Sequence, residues 1–383
     1  MRIFISTGEV SGDLQGAMLI EALLRQAQLQ NIQLEIAALG GDRMAAAGAN
    51  IIANTTTIGS VGILEALPFV LPTLKIQNIA RKYVKENPPD VLILIDYVTP
   101  NLSLGNYIRK NYPKIPIFYY IVPQDWAVPQ LGNTKGIIKV SDRLLAIFQA
   151  EANYFKDKGA NVTWVGHPLV DRTRNAPTKN EARRALNISE NETIITLLPA
   201  SRQQEIKYLL PIICEAAKIL ATKLPEVRFL IPVSLSKYRK EITAAIKKYQ
   251  LSATILENKL YEAIAAADLA ITKSGTVNLE IALLDVPQVV VYQVAPFTAW
   301  IARKILKLSI PFMSPVNLVV NKSIVPELLQ EELTSENIVK AALEFLLNTE
   351  KKEIVSQNYQ EMRQCLGEFG ACDRAAIEIL NFR

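Results

Sequence analysis

The chain has 383 residues, 50% of them hydrophobic and 21% charged, with Lys+Arg 42 against Asp+Glu 37 and a formal net charge of +5. That length exceeds one comfortable hydrophobic core and predicts two domains, while the apolar share excludes a disordered chain. The charge excess is mild, and with no block of Lys/Arg and no aromatic-basic run it does not point to nucleic acid.

Residues 2–7 predict the first strand, which empties into Gly8-Glu9-Val10-Ser11-Gly12-Asp13 ahead of a helix over 14–28. Small residues at such a corner let a ligand approach backbone N–H groups. The plainer reading is a tight turn with Asp13 as helix cap. The spacing is GxxxG, so a dinucleotide fingerprint is not supported. Further β-rich runs follow at 34–39, 91–95, 116–121, 143–147 and 162–165, separated by helix-period segments. Unalternating apolar strands between helices predict a parallel sheet covered on both faces.

Two places in this half stand out. The stretch 61–85 opens apolar and proline-interrupted and ends with Lys75, Arg81, Lys82 and Lys85. It suits a surface touching lipid tails and anionic headgroups, or a core helix with a solvated basic face. Asp96 closes the run Val91–Ile95 and is placed to point into a ligand crevice, where an apolar setting would raise its pKa toward a general base. As an alternative it caps the following turn. His167, in Gly166-His167-Pro168, reads as structural.

The pattern restarts after a polar stretch, with strands at 193–198, 228–232, 254–256, 268–272 and 288–292 alternating with helices. The predicted architecture is therefore α/β, two Rossmann-like doubly wound parallel-sheet domains facing a cleft. The boundary falls near Pro168, giving domains 1–167 and 168–349, and the helical tail (about 350–383) is expected to rejoin the first. Two corners of the second half invite an anion. Ser201 can cap the helix starting at Gln203, while Arg202 in its first turn is electrostatically misplaced unless an anion compensates it. Ser274-Gly275-Thr276 offers a side-chain-poor, donor-rich pocket for a diphosphate, and Glu280, one turn on, can accept both hydroxyls of a ribose or be a solvated helix Glu.

Absences narrow the chemistry further. A single His excludes two-His zinc sites, no Gly-Lys pair leaves no Walker A loop, and no Asp-x-Asp stands ready for a divalent ion. Neither metal nor cofactor is expected. Cys214, Cys365 and Cys372 form no CxxC and read as reduced thiols. The amino terminus shows no signal core, and no run of about 18 apolar residues predicts a spanning helix.

The series as a whole resembles the lipid-A-disaccharide synthase family. Gly8–Asp13 with Gly16-Ala17, Asp96, Trp126-Ala127, Gly166-His167, Leu197–Arg202 with Glu205, Ser274–Thr276 with Leu279-Glu280, Pro296-Phe297-Thr298, and Asn317 with Glu327–Glu332 occur in that family's order and spacing. The resemblance implies an inverting GT-B glycosyltransferase that joins UDP-2,3-diacylglucosamine to 2,3-diacylglucosamine 1-phosphate at the cytoplasmic face of the inner membrane. It implies Asp96 as general base, with Ser201, Arg202, Ser274, Gly275 and Thr276 on the diphosphate and Glu280 on the ribose. Asn317 and Glu327 would line the donor side, and Gly8, Glu9, Ser11 and Gly12 would form the acceptor-side loop. The expected partners are the UDP-activated acylated amino sugar, the acylated sugar phosphate, the membrane surface and, in one arrangement, a second copy as homodimer.

Departures from the family pattern cluster in the first domain, at Tyr97–Asn101 and around Trp126, with Ala200 a further one in the second. They keep open a different lipid-linked acceptor, a UDP-GlcNAc 2-epimerase, and a nucleotide-sugar-binding protein without activity.

Overall fold

The computed structural model describes residues 1–56, 58, 67–200, 203–233, 236–294 and 311–382. Seven strands build one sheet: β1 (Arg2–Ser6), β2 (Glu35–Gly40), β3 (Asn50–Asn54), β4 (Val91–Ile95), β5 (Ile117–Tyr120), β6 (Arg143–Ala146) and β7 (Val162–Trp164). Six build another: β8 (Thr193–Leu198), β9 (Val227–Val233), β10 (Ala253–Glu257), β11 (Leu269–Lys273), β12 (Gln288–Tyr292) and β13 (Glu327–Leu329). The orders are β3-β2-β1-β4-β5-β6-β7 and β10-β9-β8-β11-β12-β13, parallel throughout. Helices cover both faces of such sheets, which is why β4 is apolar without alternation and buried along its whole length.

Each sheet grows outward in one direction and then reverses, between β1 and β4 in the first and between β8 and β11 in the second. In open parallel sheets that reversal parts the crossover connections and leaves a crevice beyond the carboxyl ends of the two central strands.

The chain divides into two compact units. One comprises Met1–Asp171 and residues 366–382, the other residues 172–294 and 311–365. The tail rejoins the first unit at Leu366, later than the sequence suggests. Up to that point the helix Thr349–Leu366 is bonded within the second unit, where the Tyr359 hydroxyl donates to Val286 O and Arg363 to Ala282 O. The helix Ala371–Leu380 is bonded within the first. The Asp171 carboxylate accepts from the N–H groups of Gly370, Ala371 and Cys372, and Arg25 and Arg143 pair with Asp373 and Glu378.

Strands β3 and β13 lie outside the sequence reading. Both are short sheet edges with half-buried residues, so neither has the unbroken apolar run by which interior strands announce themselves.

The first corner folds differently from expectation. The helix runs from Glu9 to Leu29, with Gly8 as N-cap and Glu9 at φ +63°, so Ser11, Gly12 and Asp13 lie inside it. Gly12 is required there, because a Cβ would fall 2.0 Å from Thr7 Oγ1. Asp13 does not cap its own helix. Its buried carboxylate accepts from Gly41 N (2.7 Å), Met44 N (3.1 Å) and Arg43 N (3.2 Å), capping the next helix, Asp42–Ala46.

Among the described residues no helix is long and apolar enough to cross a membrane. Residues 61–66 of the apolar-basic stretch lie outside the described residues. The rest forms the helix Val70–Glu86, which buries Gln77, Ala80 and Val84 and exposes Val70, Leu71 and Leu74 at 48%, 77% and 55%.

Replacing Asp13 by Ala strands three backbone donors and should lower the unfolding free energy by about 1–3 kcal/mol. Urea denaturation reads this directly, and wild-type stability in the variant would show that the capping assignment is wrong.

Candidate active site

At the first reversal, β1 and β4 lie side by side and their corners touch. A Cβ at Gly8 would fall 2.5 Å from the Tyr97 ring, so only glycine lets the two loops approach. Asp96 and Tyr97 are both left-handed, at φ +44° and +47°, and three contacts secure that turn. The Asp96 N–H donates to Ile121 O (3.1 Å), while its carbonyl accepts from Asn101 Nδ2 (2.7 Å) and the Tyr119 hydroxyl (2.7 Å). Asn101 is fully buried, also donates to Ile95 O, and accepts from the Ser6 hydroxyl, which ties the end of β1 to the end of β4.

The Asp96 side chain is exposed. The apolar setting expected for it is absent from the described residues, so any role as a base rests on position. Glu9 and Ser11 are half-exposed in the first turn of the helix Glu9–Leu29, while Gly8 and Gly12 are buried.

A second carboxylate near this edge escaped the sequence reading. Glu151 is fully buried and accepts three backbone N–H bonds, from Val122 (3.0 Å) on Oε1 and from Ile147 (2.8 Å) and Phe148 (3.1 Å) on Oε2. It thus fastens the chain leaving β5 to the chain leaving β6. Burial raises its carboxyl from 4.5 to about 8, although the three N–H bonds pull the other way. The sequence held one signal, a Glu three residues past Phe148, which is half of a capping box without the usual Ser or Thr.

Trp126 packs on Phe148, and Phe148 on His167, with centroids 5.6 and 5.1 Å apart. His167 is buried, and its Nδ1 accepts from Leu169 N (3.1 Å). Burial lowers its pKa to about 3, so it stays neutral with the proton on Nε2.

At the second reversal, β8 and β11 pair with Leu198 beside Thr272. Ser201 and Arg202 lie outside the described residues, as does Pro296-Phe297-Thr298. The other corner is less rich in free donors than expected. The Ser274 N–H donates to Val291 O (2.9 Å), the Gly275 N–H to Asn278 Oδ1 (2.8 Å), and the Ser274 hydroxyl to Met313 O (2.5 Å). Asn278 is itself fully buried and donates back to Lys273 O. What the corner still presents is the hydroxyl lone pairs of Ser274 and the half-exposed Thr276 at the start of the helix Val277–Leu283.

Asn317 and Glu327 join Ser274 in one network. Glu327 accepts from Met313 N (2.8 Å), Ser314 N (2.9 Å) and Asn317 Nδ2 (2.8 Å). Asn317 also donates to Val325 O and accepts from the N–H groups of Ile324 and Val325, so its amide is spent internally. These two residues hold the segment on which Ser274 rests.

Glu280 stands apart from that network. It is 4% exposed rather than solvated, and its Oε1 accepts from Arg172 Nη1 (2.5 Å) and the Tyr261 hydroxyl (2.6 Å). The Arg172 guanidinium lies 5.1 Å from the centre of the Tyr261 ring. Both bonds land on one oxygen, and Oε2 accepts no hydrogen bond among the described residues. Those residues also contain no group of three His, Cys, Asp or Glu side chains arranged for a metal ion.

Residues 3–381 match a protein-family model described as lipid-A-disaccharide synthetase. A lipid-A-disaccharide synthase of Gloeothece citriformis (strain PCC 7424) is 57% identical over 383 residues, covering 100% of both chains. Among solved structures, UDP-GlcNAc 2-epimerase from Neisseria meningitidis bound to UDP-GlcNAc superposes with a TM-score of 0.68 at 14% identity, covering 100% of each chain. Acinetobacter baumannii MurG superposes at 0.60 with 17% identity, covering 100% of this chain and 99% of that one. At such identities the superpositions speak to fold, and the fold is GT-B.

Glu151 makes stability depend on pH with a definite sign. Its folded pKa of about 8 lies above the ordinary 4.5, so its contribution is fully present below about 4.5 and is lost as pH rises through about 8. Glu151→Gln should flatten the decline in unfolding free energy over that window, by at most about 1.4 kcal/mol per pH unit. Denaturant titrations at several pH values test this, and an unaltered slope would contradict it.

Proposed function

The chain belongs to the lipid-A-disaccharide synthase family, and from that premise we propose the following reaction. The protein transfers 2,3-diacylglucosamine from UDP-2,3-diacylglucosamine to the 6-hydroxyl of 2,3-diacylglucosamine 1-phosphate. The observation that carries the reading is the family match over nearly the whole chain. Its support in the fold is that Asp96 and the corner Ser274–Thr276 each follow a strand at a reversal point, where parallel sheets take ligands.

In this reading Asp96 accepts the acceptor's hydroxyl proton as the oxygen attacks the anomeric carbon. The bond from that carbon to the diphosphate breaks, its electron pair leaves with UDP, and single displacement inverts the configuration to the β-1,6 product. Positioning rather than an apolar pocket fits Asp96 for this, because its backbone is secured on both sides of the peptide unit. Ser274, Gly275 and Thr276, with Ser201 and Arg202, hold the departing diphosphate where charge develops. Glu280, braced by Arg172 and Tyr261, offers Oε2 to the ribose. Asn317 and Glu327 act on the donor side by fixing the segment under Ser274. Glu9 and Ser11, exposed beside Gly8 and Gly12, face the acceptor.

Both substrates carry acyl chains, and the helix Val70–Glu86 is the surface we assign to the membrane, at the cytoplasmic face of the inner membrane. Val70, Leu71 and Leu74 present bare apolar area beside exposed Lys75, Lys82 and Lys85. Arg81 is drawn away from that face, donating to the Ser103 hydroxyl (2.8 Å) and stacking over Tyr107.

Asp96→Ala should lower disaccharide formation, followed by mass spectrometry, by about 10²–10⁴ while leaving UDP affinity nearly unchanged. Arg202→Ala should weaken UDP instead. Undiminished turnover in the Asp96 variant rules out its role as base, and UDP release only with other acceptors redirects the substrate assignment. In vesicle flotation, Leu71→Ser with Leu74→Ser should lose binding to anionic liposomes; equal flotation of variant and wild type refutes the membrane face.

A further inference from the structure

We infer that Lys273 is a second cation for the nucleotide diphosphate, held in place by Glu205 until the nucleotide arrives; this rests on the nucleotide reading above. Lys273 is the last residue of β11 and immediately precedes Ser274. Its side chain folds back over the corner. A Cβ on Gly275 would fall 2.6 Å from Lys273 Nζ and 3.4 Å from its Cε, so the glycine leaves the space that the ammonium fills. The charge is thereby set against the backbone of the residues assigned to the diphosphate.

Glu205 supplies the counter-charge from the neighbouring corner. It lies in the first turn of the helix Gln203–Lys223, one strand over, and its Oε1 is 3.7 Å from Lys273 Nζ. Both side chains are largely enclosed, at 13% and 14% exposure. A separation of 3.7 Å is an ion contact longer than a hydrogen bond, so a phosphate oxygen can draw the ammonium away without breaking a short bond. Glu205 tolerates that shift because an acidic group in a first turn is favoured by the helix dipole. A diphosphate leaving group carries more than one negative charge, and Arg202 supplies only one positive charge. Lys273 is the nearby residue whose position lets it supply the next.

The test is titration calorimetry of UDP into the full-length protein, at low and high salt, for wild type and for Lys273→Met combined with Glu205→Gln. The pair is removed together so that no lone charge stays enclosed, and thermal melting confirms folding. UDP affinity should fall about tenfold or more, with a shallower salt dependence, as expected for loss of one charge-assisted contact. If the double variant does not fold, Lys273→Arg, which keeps the charge, should retain UDP binding that Lys273→Met loses. Wild-type affinity in the double variant, or equal affinity of Arg and Met variants, overturns the lysine's role and leaves the nucleotide reading standing. A wild-type protein that takes up no UDP overturns both.

Discussion

Where parallel strands stop together, their last amides and carbonyls have no further strand to bond, and an unmade bond of this kind costs about 1–3 kcal/mol when buried. In both units enclosed polar side chains take those groups. Asn101 takes the carbonyls of Ile95 and Asp96, Asp13 takes three amides beyond β2, and Glu151 takes three beyond β5 and β6. In the second unit Asn278 takes the Gly275 amide and the Lys273 carbonyl, and Glu327 takes the amides of Met313 and Ser314. The carboxyl edge of each sheet is rigid because of these residues.

That rigidity has a chemical use. A side chain that must meet a substrate cannot also be holding up the loop beneath it, and the two tasks fall to different residues. Asn101 and Tyr119 fix the Asp96 backbone and leave its carboxylate outside; Asn278, Asn317 and Glu327 fix the Ser274 corner and leave Thr276 and Glu280 Oε2 for a ligand. Preorganised groups need no rearrangement as charge moves, which is where electrostatic catalysis gains most. Membership of the glycosyltransferase family gives this arrangement a reaction to serve.

The sequence makes the architecture plain wherever burial is complete. Val91–Ile95 and Thr193–Leu198 coincide with β4 and β8, because a strand covered on both faces leaves no room for polar alternation. Edge strands β3 and β13 carry no such constraint and stay invisible. Corner residues are legible as positions but not as roles. Asp13 looks like a local cap and serves another helix 28 residues away, since pairing over that distance depends on how the helices pack. Glu151 looks like a solvated helix acid, and only the tertiary structure encloses it. Asp96 is the reverse case, an expected apolar setting replaced by exposure, because the left-handed turn at Asp96 and Tyr97 carries the side chain past the end of the strand.

Hydrogen–deuterium exchange with and without UDP tests most directly whether the second sheet's carboxyl edge is the nucleotide site. Peptides spanning 198–206 and 272–281 should gain protection on adding UDP, while those spanning 92–101 and 119–128 should exchange as before. Protection that appears in the first unit alone, or nowhere, would contradict the account.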